Sequence, residues 1–255
     1  MIVEFYGPPG AGKTTLAHLL LAALRARGHC TDLRLSARPA EAFGDQGDAP
    51  VACIRAAASR FGRPAAEFTQ LMRGAFIGDL RISASLLGIM RPNSVIWSVR
   101  LAQYLMRLSH HWRQASRSPR IVVFDQAFVQ AVCSLTLLAS RSDDARIASA
   151  LTAVPQSDVL VRIIAPEDVL RERLRKRELR QGLIERHLEL SLVANLEAIQ
   201  ITDRIDQILK QHDRRLILAC SDNEATIRHC ITEIESRIEA MTVAPAADLE
   251  LKVPT

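Results

Sequence analysis

The sequence predicts an α/β protein, a parallel sheet of short buried strands with helices on both faces. Five apolar runs of four to six residues alternate with segments of helical period. The run Ile121-Val122-Val123-Phe124 is continuously apolar, as in a strand covered on both faces. The first run also opens into a glycine-rich turn followed at once by a helical pattern.

Taken in order, Ile2 to Phe5 reads as the first strand. Thr14 to Arg27 reads as a helix whose inward face is Leu16, Leu19, Leu20, Ala23 and Leu24, ended by Gly28. Cys30 to Leu35 is a second short strand, broken by Arg38-Pro39. Helices are expected over 52–60, 65–73, 80–87 and 96–114, forming a helical insertion over about 40–118. Ile121-Val122-Val123-Phe124 is the third strand and ends at Asp125; a helix is expected from Ala127 to Leu138. Val159 to Ile164 is the fourth strand. Pro166-Glu167-Asp168 then opens a charged helix reaching Arg180. Gly182 interrupts the pattern, a long amphipathic helix resumes over 184–211, Leu216 to Ala219 is the fifth strand, and a closing helix is expected over 224–241. The predicted organisation is a single domain over 1–242, a lid-like segment at about 166–184, and a flexible tail over 243–255.

Composition narrows the function classes. The 255 residues suffice for one large core, and 48% apolar content argues against general disorder. No apolar run approaches the length of a membrane span. The five cysteines are scattered without a C-x-x-C pair, and no basic leader precedes the first strand, so a cytoplasmic protein with reduced thiols is expected. The net charge is +5, and all but four of the 33 basic residues are arginine. Arginine forks suit phosphate oxygens, but aromatics are only 4% and are not interleaved with basic runs, which argues against nucleic acid as a partner.

The glycine-rich turn carries the chemistry. Gly7-Pro8-Pro9-Gly10-Ala11-Gly12-Lys13-Thr14 matches G-x-x-x-x-G-K-[ST] in full, between a strand and a helix. Backbone amides of such a loop and the positive end of the following helix converge on phosphate oxygens. Lys13 would meet the β and γ phosphates of a nucleoside triphosphate, Thr14 would bind Mg2+, and Thr15 would assist at the α phosphate. Asp125, at the carboxyl end of a central strand, is expected to hold a metal-bound water or accept a proton from an acceptor hydroxyl, though it could simply cap the next helix. Gln126 would orient Asp125 or touch the acceptor. In Arg171 to Arg180, the residues Arg173, Arg177 and Arg180 share a helix face and could close over the triphosphate. The alternative is a solvated helix laced with pairs such as Glu172 to Lys176.

With these motifs the chain resembles P-loop kinases of the nucleoside and nucleotide kinase group, closest in layout to thymidylate-kinase-like proteins. The resemblance rests on the Gly7-to-Thr14 loop, the Val122-Val123-Phe124-Asp125 strand end, the Glu172-to-Arg177 segment, and the late Leu216-to-Ser221 strand before a helix starting at Glu224. It implies a P-loop NTPase fold with strand order 2-3-1-4-5, Mg-ATP as donor, and transfer of the γ-phosphoryl group to a small acceptor held by the segment around 36–110. Lys13, Asp125, Arg173 and Arg177 are the implied catalytic residues. The group usually carries Asp-Arg after the third strand, whereas this chain has Asp125-Gln126, so thymidylate is disfavoured and a nucleoside, nucleotide or sugar-like acceptor is expected. Arg38, Arg81, Arg91, Arg100 and Arg107 are candidates to replace the absent cation. Asp79, Tyr104 and Trp97 are further pocket candidates. A homodimer is one assembly the layout permits. The rival reading is a nucleotide switch or ATPase adaptor acting through a protein partner.

Overall fold

The computed structural model describes residues 1–36, 77–139, 142–180 and 192–247. Its strands are β1 (Ile2–Tyr6), β2 (Thr31–Arg34), β3 (Ile121–Phe124), β4 (Val159–Ile164) and β5 (Leu216–Cys220). The helices among the described residues are α1 (Lys13–Ala26), α2 (Ile77–Met90), α3 (Val95–Ser116), α4 (Phe128–Leu138), α5 (Asp144–Ala153), α6 (Glu167–Arg180), α7 (Leu192–Gln211) and α8 (Glu224–Ala247). All pairings in the sheet are parallel, in the order β2-β3-β1-β4-β5. This is the P-loop fold that the resemblance implied.

Strand alternation divides the core into two layers. Val3 and Phe5 of β1, with Val123, Val161 and Ile163, pack against α1, α6 and α8 through Leu16, Leu20, Leu170 and Ile234. Ile2 and Tyr6, with Val122, Phe124 and Leu160, face α2 to α5 and α7. There Trp112 of α3 lies 5.4 Å from the Phe124 ring and 5.2 Å from Phe128, so the helical insertion is joined to the central strands by aromatic contact. No helix among the described residues is long and apolar enough to cross a membrane.

Differences from expectation are local. The helix α5 was not predicted. Asp143 caps it by accepting a hydrogen bond from Arg146 N at 2.8 Å, and Ile147, Ala150 and Leu151 form its buried face. The closing helix continues to Ala247, into the segment expected to be a tail from Val243. The helices expected over 52–60 and 65–73, the break at Gly182 and the start of the 184–211 helix lie outside the described residues.

Candidate active site

The buried strand β1 delivers the chain to Gly7 at the carboxyl edge of the sheet, where ligands of open α/β folds gather. A Cβ at Gly7 would stand 2.5 Å from the Ile163 carbonyl oxygen of β4, so only glycine fits there. Gly7 N donates to Gln130 Oε1 of α4 at 3.1 Å, fastening the start of the loop to a neighbouring helix. The loop closes with Ala11 N donating to Pro8 O at 3.3 Å. Gly12, at φ 90°, then turns the backbone through a conformation that disfavours a side chain. No side chain caps α1, and its first turn holds no acidic residue. Its positive end therefore remains open to an anion.

Lys13 is buried, and its ammonium donates to the carbonyls of Gly7 at 2.7 Å and Pro8 at 2.9 Å. The cation is thus folded over the loop, with carbonyl dipoles in place of anionic oxygens. Beside it Thr14 Oγ1 donates to Asp125 Oδ2 at 2.8 Å. The other carboxylate oxygen, Oδ1, accepts from Ser36 N at 2.7 Å, so Asp125 links the loop to the exit of β2. A hydroxyl and a carboxylate side by side are hard oxygen ligands suited to Mg2+, which draws its remaining ligands from phosphates and water.

These groups border a cavity of about 410 Å³ lined by Gly12, Lys13, Thr14, Gln126, Arg173 and Ser221 among others. Arg173 reaches it from α6. Its Nη1 donates to Gly10 O at 3.2 Å and Ser221 Oγ at 3.3 Å, and its Nη2 donates to Ser221 O at 3.1 Å. Ser221 Oγ in turn donates to Ala11 O at 2.8 Å. The charged helix therefore fits both sequence readings at once. Arg173 faces the loop, while Glu167–Arg171 and Glu172–Lys176 form exposed pairs, each at 2.6 Å.

Of the residues singled out in the sequence, Lys13, Thr14, Thr15, Gln126 and Arg173 meet at the cavity, and Asp125 joins them through Thr14. Asp79 is buried in an ion pair with Arg113, and Arg81 and Arg91 are exposed on and just after α2. Tyr104 packs against the core, and Arg100 lies over the Trp97 ring with Cζ 4.9 Å from its centroid. Arg107 is partly buried on α3. None of these lines the cavity. Arg38 and the side chain of Arg177 lie outside the described residues. Sequence reasoning assigned no role to Ser221 or Gln130. Ser221 had a signal, since it stands directly beyond the carboxyl end of β5. Gln130 had none, because its partner is a backbone amide.

Beneath the loop lie two buried polar groups. Tyr6, the last residue of β1, donates to Asp206 Oδ1 at 3.3 Å, and Asp206 also pairs with Arg162 and Lys210. Burial, with Asp206 alongside, pushes the Tyr6 hydroxyl well above its ordinary value. Glu4 is fully buried and accepts from Val129 N at 2.6 Å. Desolvation raises its carboxyl to about 7 against a partial pull from that hydrogen bond and Arg214.

A family model described as an AAA domain matches residues 2–197. No curated protein shows significant similarity to the chain. Among solved structures, a deoxyadenosine kinase from M. mycoides is 12% identical, with 94% of this chain and 100% of that chain covered and a TM-score of 0.48. A thymidylate kinase from Ehrlichia chaffeensis is 14% identical, with 93% and 98% covered and a TM-score of 0.45.

Proposed function

The chain belongs to the AAA-domain family, and on that premise we propose that it is an ATP-dependent phosphotransferase. The γ-phosphoryl group of Mg-ATP would pass to a hydroxyl or phosphate of a nucleoside, nucleotide or sugar-like small molecule. One observation carries the reading. The buried Lys13 ammonium, Thr14 with Asp125 bonded behind it, and the Arg173 guanidinium come together at one cavity beside an uncapped helix N-terminus, lined by Lys13, Thr14 and Arg173.

Each residue then has a task. Loop amides from Gly7 to Thr15 hold the phosphate chain, with Pro8, Pro9 and Ala11 shaping the turn. Lys13 exchanges its two carbonyl partners for phosphate oxygens. Thr14 and Asp125 would hold Mg2+, which would supply positive charge beside the phosphates, and the Asp125 carboxylate could also take the proton of an attacking hydroxyl. Arg173 releases Gly10 O to neutralise charge on the transferred group, and Arg177 is proposed as its companion. Positioning and fixed charge supply the rate in such transfers, with no covalent enzyme intermediate needed. A cytoplasmic location and a homodimer complete the reading.

The test is consumption of Mg-ATP by purified protein with pooled nucleosides, nucleotides and sugars, read by a mass gain of one phosphoryl unit on an acceptor. Strong stimulation by one pool supports a kinase. Stimulation by a protein alone would instead identify a nucleotide switch.

A further inference from the structure

On either side of the segment proposed to receive the acceptor, Arg34 and His111 carry buried nitrogens without a hydrogen-bond partner among the described residues. In β2, Leu33 packs with the α1 layer, so the alternate residues Asp32 and Arg34 face the other layer. Asp32 pairs with Arg120 at 3.0 Å. The side chain of Arg34 has no hydrogen bond or ion pair among the described residues, and its Nε is buried without an acceptor. His111 of α3 stands near it, with Nδ1 likewise buried and without a partner. Both residues are otherwise partly exposed, so a ligand can reach them.

The surroundings are positive. Burial first, then the charges of Arg34, His110 and Arg107, hold the His111 imidazole below its ordinary value; a hydrogen bond with Gln114 acts the other way. Three carboxylates of the described β2, α2 and β3 regions are already engaged. Asp79 pairs with Arg113, Asp32 with Arg120, and Asp125 accepts from Thr14 and Ser36. Desolvated donors without acceptors are rare in folded proteins and point to a partner not yet in place. Position suggests which partner. Arg34 O accepts from Asp125 N at 3.3 Å, so this cluster sits at the exit of β2, two strands outward from the loop, across β3, and next to the carboxylate proposed to meet the acceptor.

We propose that Arg34 and His111 form the seat for an anionic group on the acceptor, a phosphate by its chemistry. The fork of Arg34 binds two of its oxygens and His111 donates to a third. This takes the place of the arginine absent after Asp125, and it narrows the acceptor to a phosphate-bearing compound. It rests on the phosphotransferase reading for the word acceptor, but not for the binding itself. A dianion there would draw a proton onto His111, so binding takes up protons.

The test follows the His111 ring by NMR during pH titration, with and without inorganic phosphate and with the loop filled by a non-hydrolysable ATP analogue. His111→Gln assigns the signal. Phosphate is expected to raise the His111 titration midpoint by about one pH unit, and Arg34→Gln is expected to abolish the shift. No shift in the wild-type protein, or an equal shift in Arg34→Gln, overturns the proposal. Matched acceptors, each nucleoside or sugar against its monophosphate, give a second readout. Preference for the phosphorylated member by at least about tenfold, lost in Arg34→Gln, is expected. Equal use of neutral members, with His111 unmoved, removes the anion seat and leaves the kinase standing. A phosphate shift at His111 without any ATP-dependent transfer removes the kinase and leaves the seat.

Discussion

Two neighbouring regions at the carboxyl edge of one sheet are finished to different degrees. Around the loop, the chain supplies partners for the groups proposed to be catalytic. Lys13 rests on two carbonyls, Thr14 on Asp125, and Arg173 on Gly10 and Ser221. At the exit of β2, Arg34 and His111 are left with buried nitrogens that have no hydrogen-bond partner among the described residues. The first region holds its shape before any ligand arrives, and ligand binding there exchanges one set of hydrogen bonds for another. The second gains bonds it never had. Nucleotide affinity should therefore depend on the difference between carbonyl and phosphate partners, and acceptor affinity on supplying a missing charge.

The largest effect expected on this comparison is from Lys13→Ala. It removes the one cation held inside the loop while leaving the strand and helix around it intact. Turnover should fall by at least about a thousandfold, with an unchanged circular dichroism spectrum and melting temperature. Retained transfer would mean that the loop region works without its buried charge. Next comes Asp125→Asn, which touches both regions. Asparagine can still accept from Ser36 N, but its amide has no negative charge for Mg2+. A loss on the order of a hundredfold in turnover is expected, with half-activation moved to higher magnesium. Unchanged magnesium dependence would leave Asp125 only its role as a link between the loop and β2.

The loop region was legible because its signal is local. Four positions at fixed spacing, Gly7, Gly12, Lys13 and Thr14, specify it, and short, largely apolar runs specify the strands beside it. Strand order came from the resemblance rather than from periodicity, since pairing partners such as Val3 and Val123 or Val3 and Val159 lie far apart in the chain. Arg173 was visible as a member of a helix face, but its contact with Ser221 spans 48 residues and leaves no trace in spacing. The helix α5 was readable in hindsight from its Ser142-Asp143-Asp144 start and the inward residues Ile147, Ala150 and Leu151. The β2 region was opaque. Arg34 and His111 are ordinary residues until folding brings β2 and α3 together; of the arginines named in their place, Arg81, Arg91 and Arg100 are exposed, Arg107 is partly buried on α3, and Arg38 lies outside the described residues.

Below the loop region, Glu4 gives a stability test of whether its polar groups really are satisfied. Its Oε1 is bonded to Val129 N, while Oε2, Ser157 Oγ and Arg214 Nη1 are buried without partners. Burial pushes the carboxyl up to about 7 from its ordinary 4.5, so the folded protein holds this proton more tightly. Its contribution is fully present below about pH 4.5 and is lost as pH rises through about 7, a change of about 3 kcal/mol. Glu4→Gln cannot ionise, so its stability should not show this fall. Denaturant midpoints at pH 4 and pH 8 measure it. Parallel pH profiles for the two proteins would show that Glu4 is not desolvated as the structure has it.

The smallest effect is the most discriminating for the loop region. Ser221 Oγ donates to Ala11 O and accepts from Arg173 Nη1, but Arg173 also holds the Ser221 carbonyl, which no side-chain substitution removes. Ser221→Ala should therefore weaken nucleotide binding by only about 1 kcal/mol, or roughly fivefold. Arg173→Ala should cost more, because it removes a charge as well as its bonds. If the two act as one clasp, the double variant will lose less than the sum of the singles, with a coupling of at least about 0.5 kcal/mol by calorimetry. Strict additivity would mean that Arg173 meets the nucleotide independently of Ser221. The self-bonded arrangement would then be a resting position, with no part in holding the ligand.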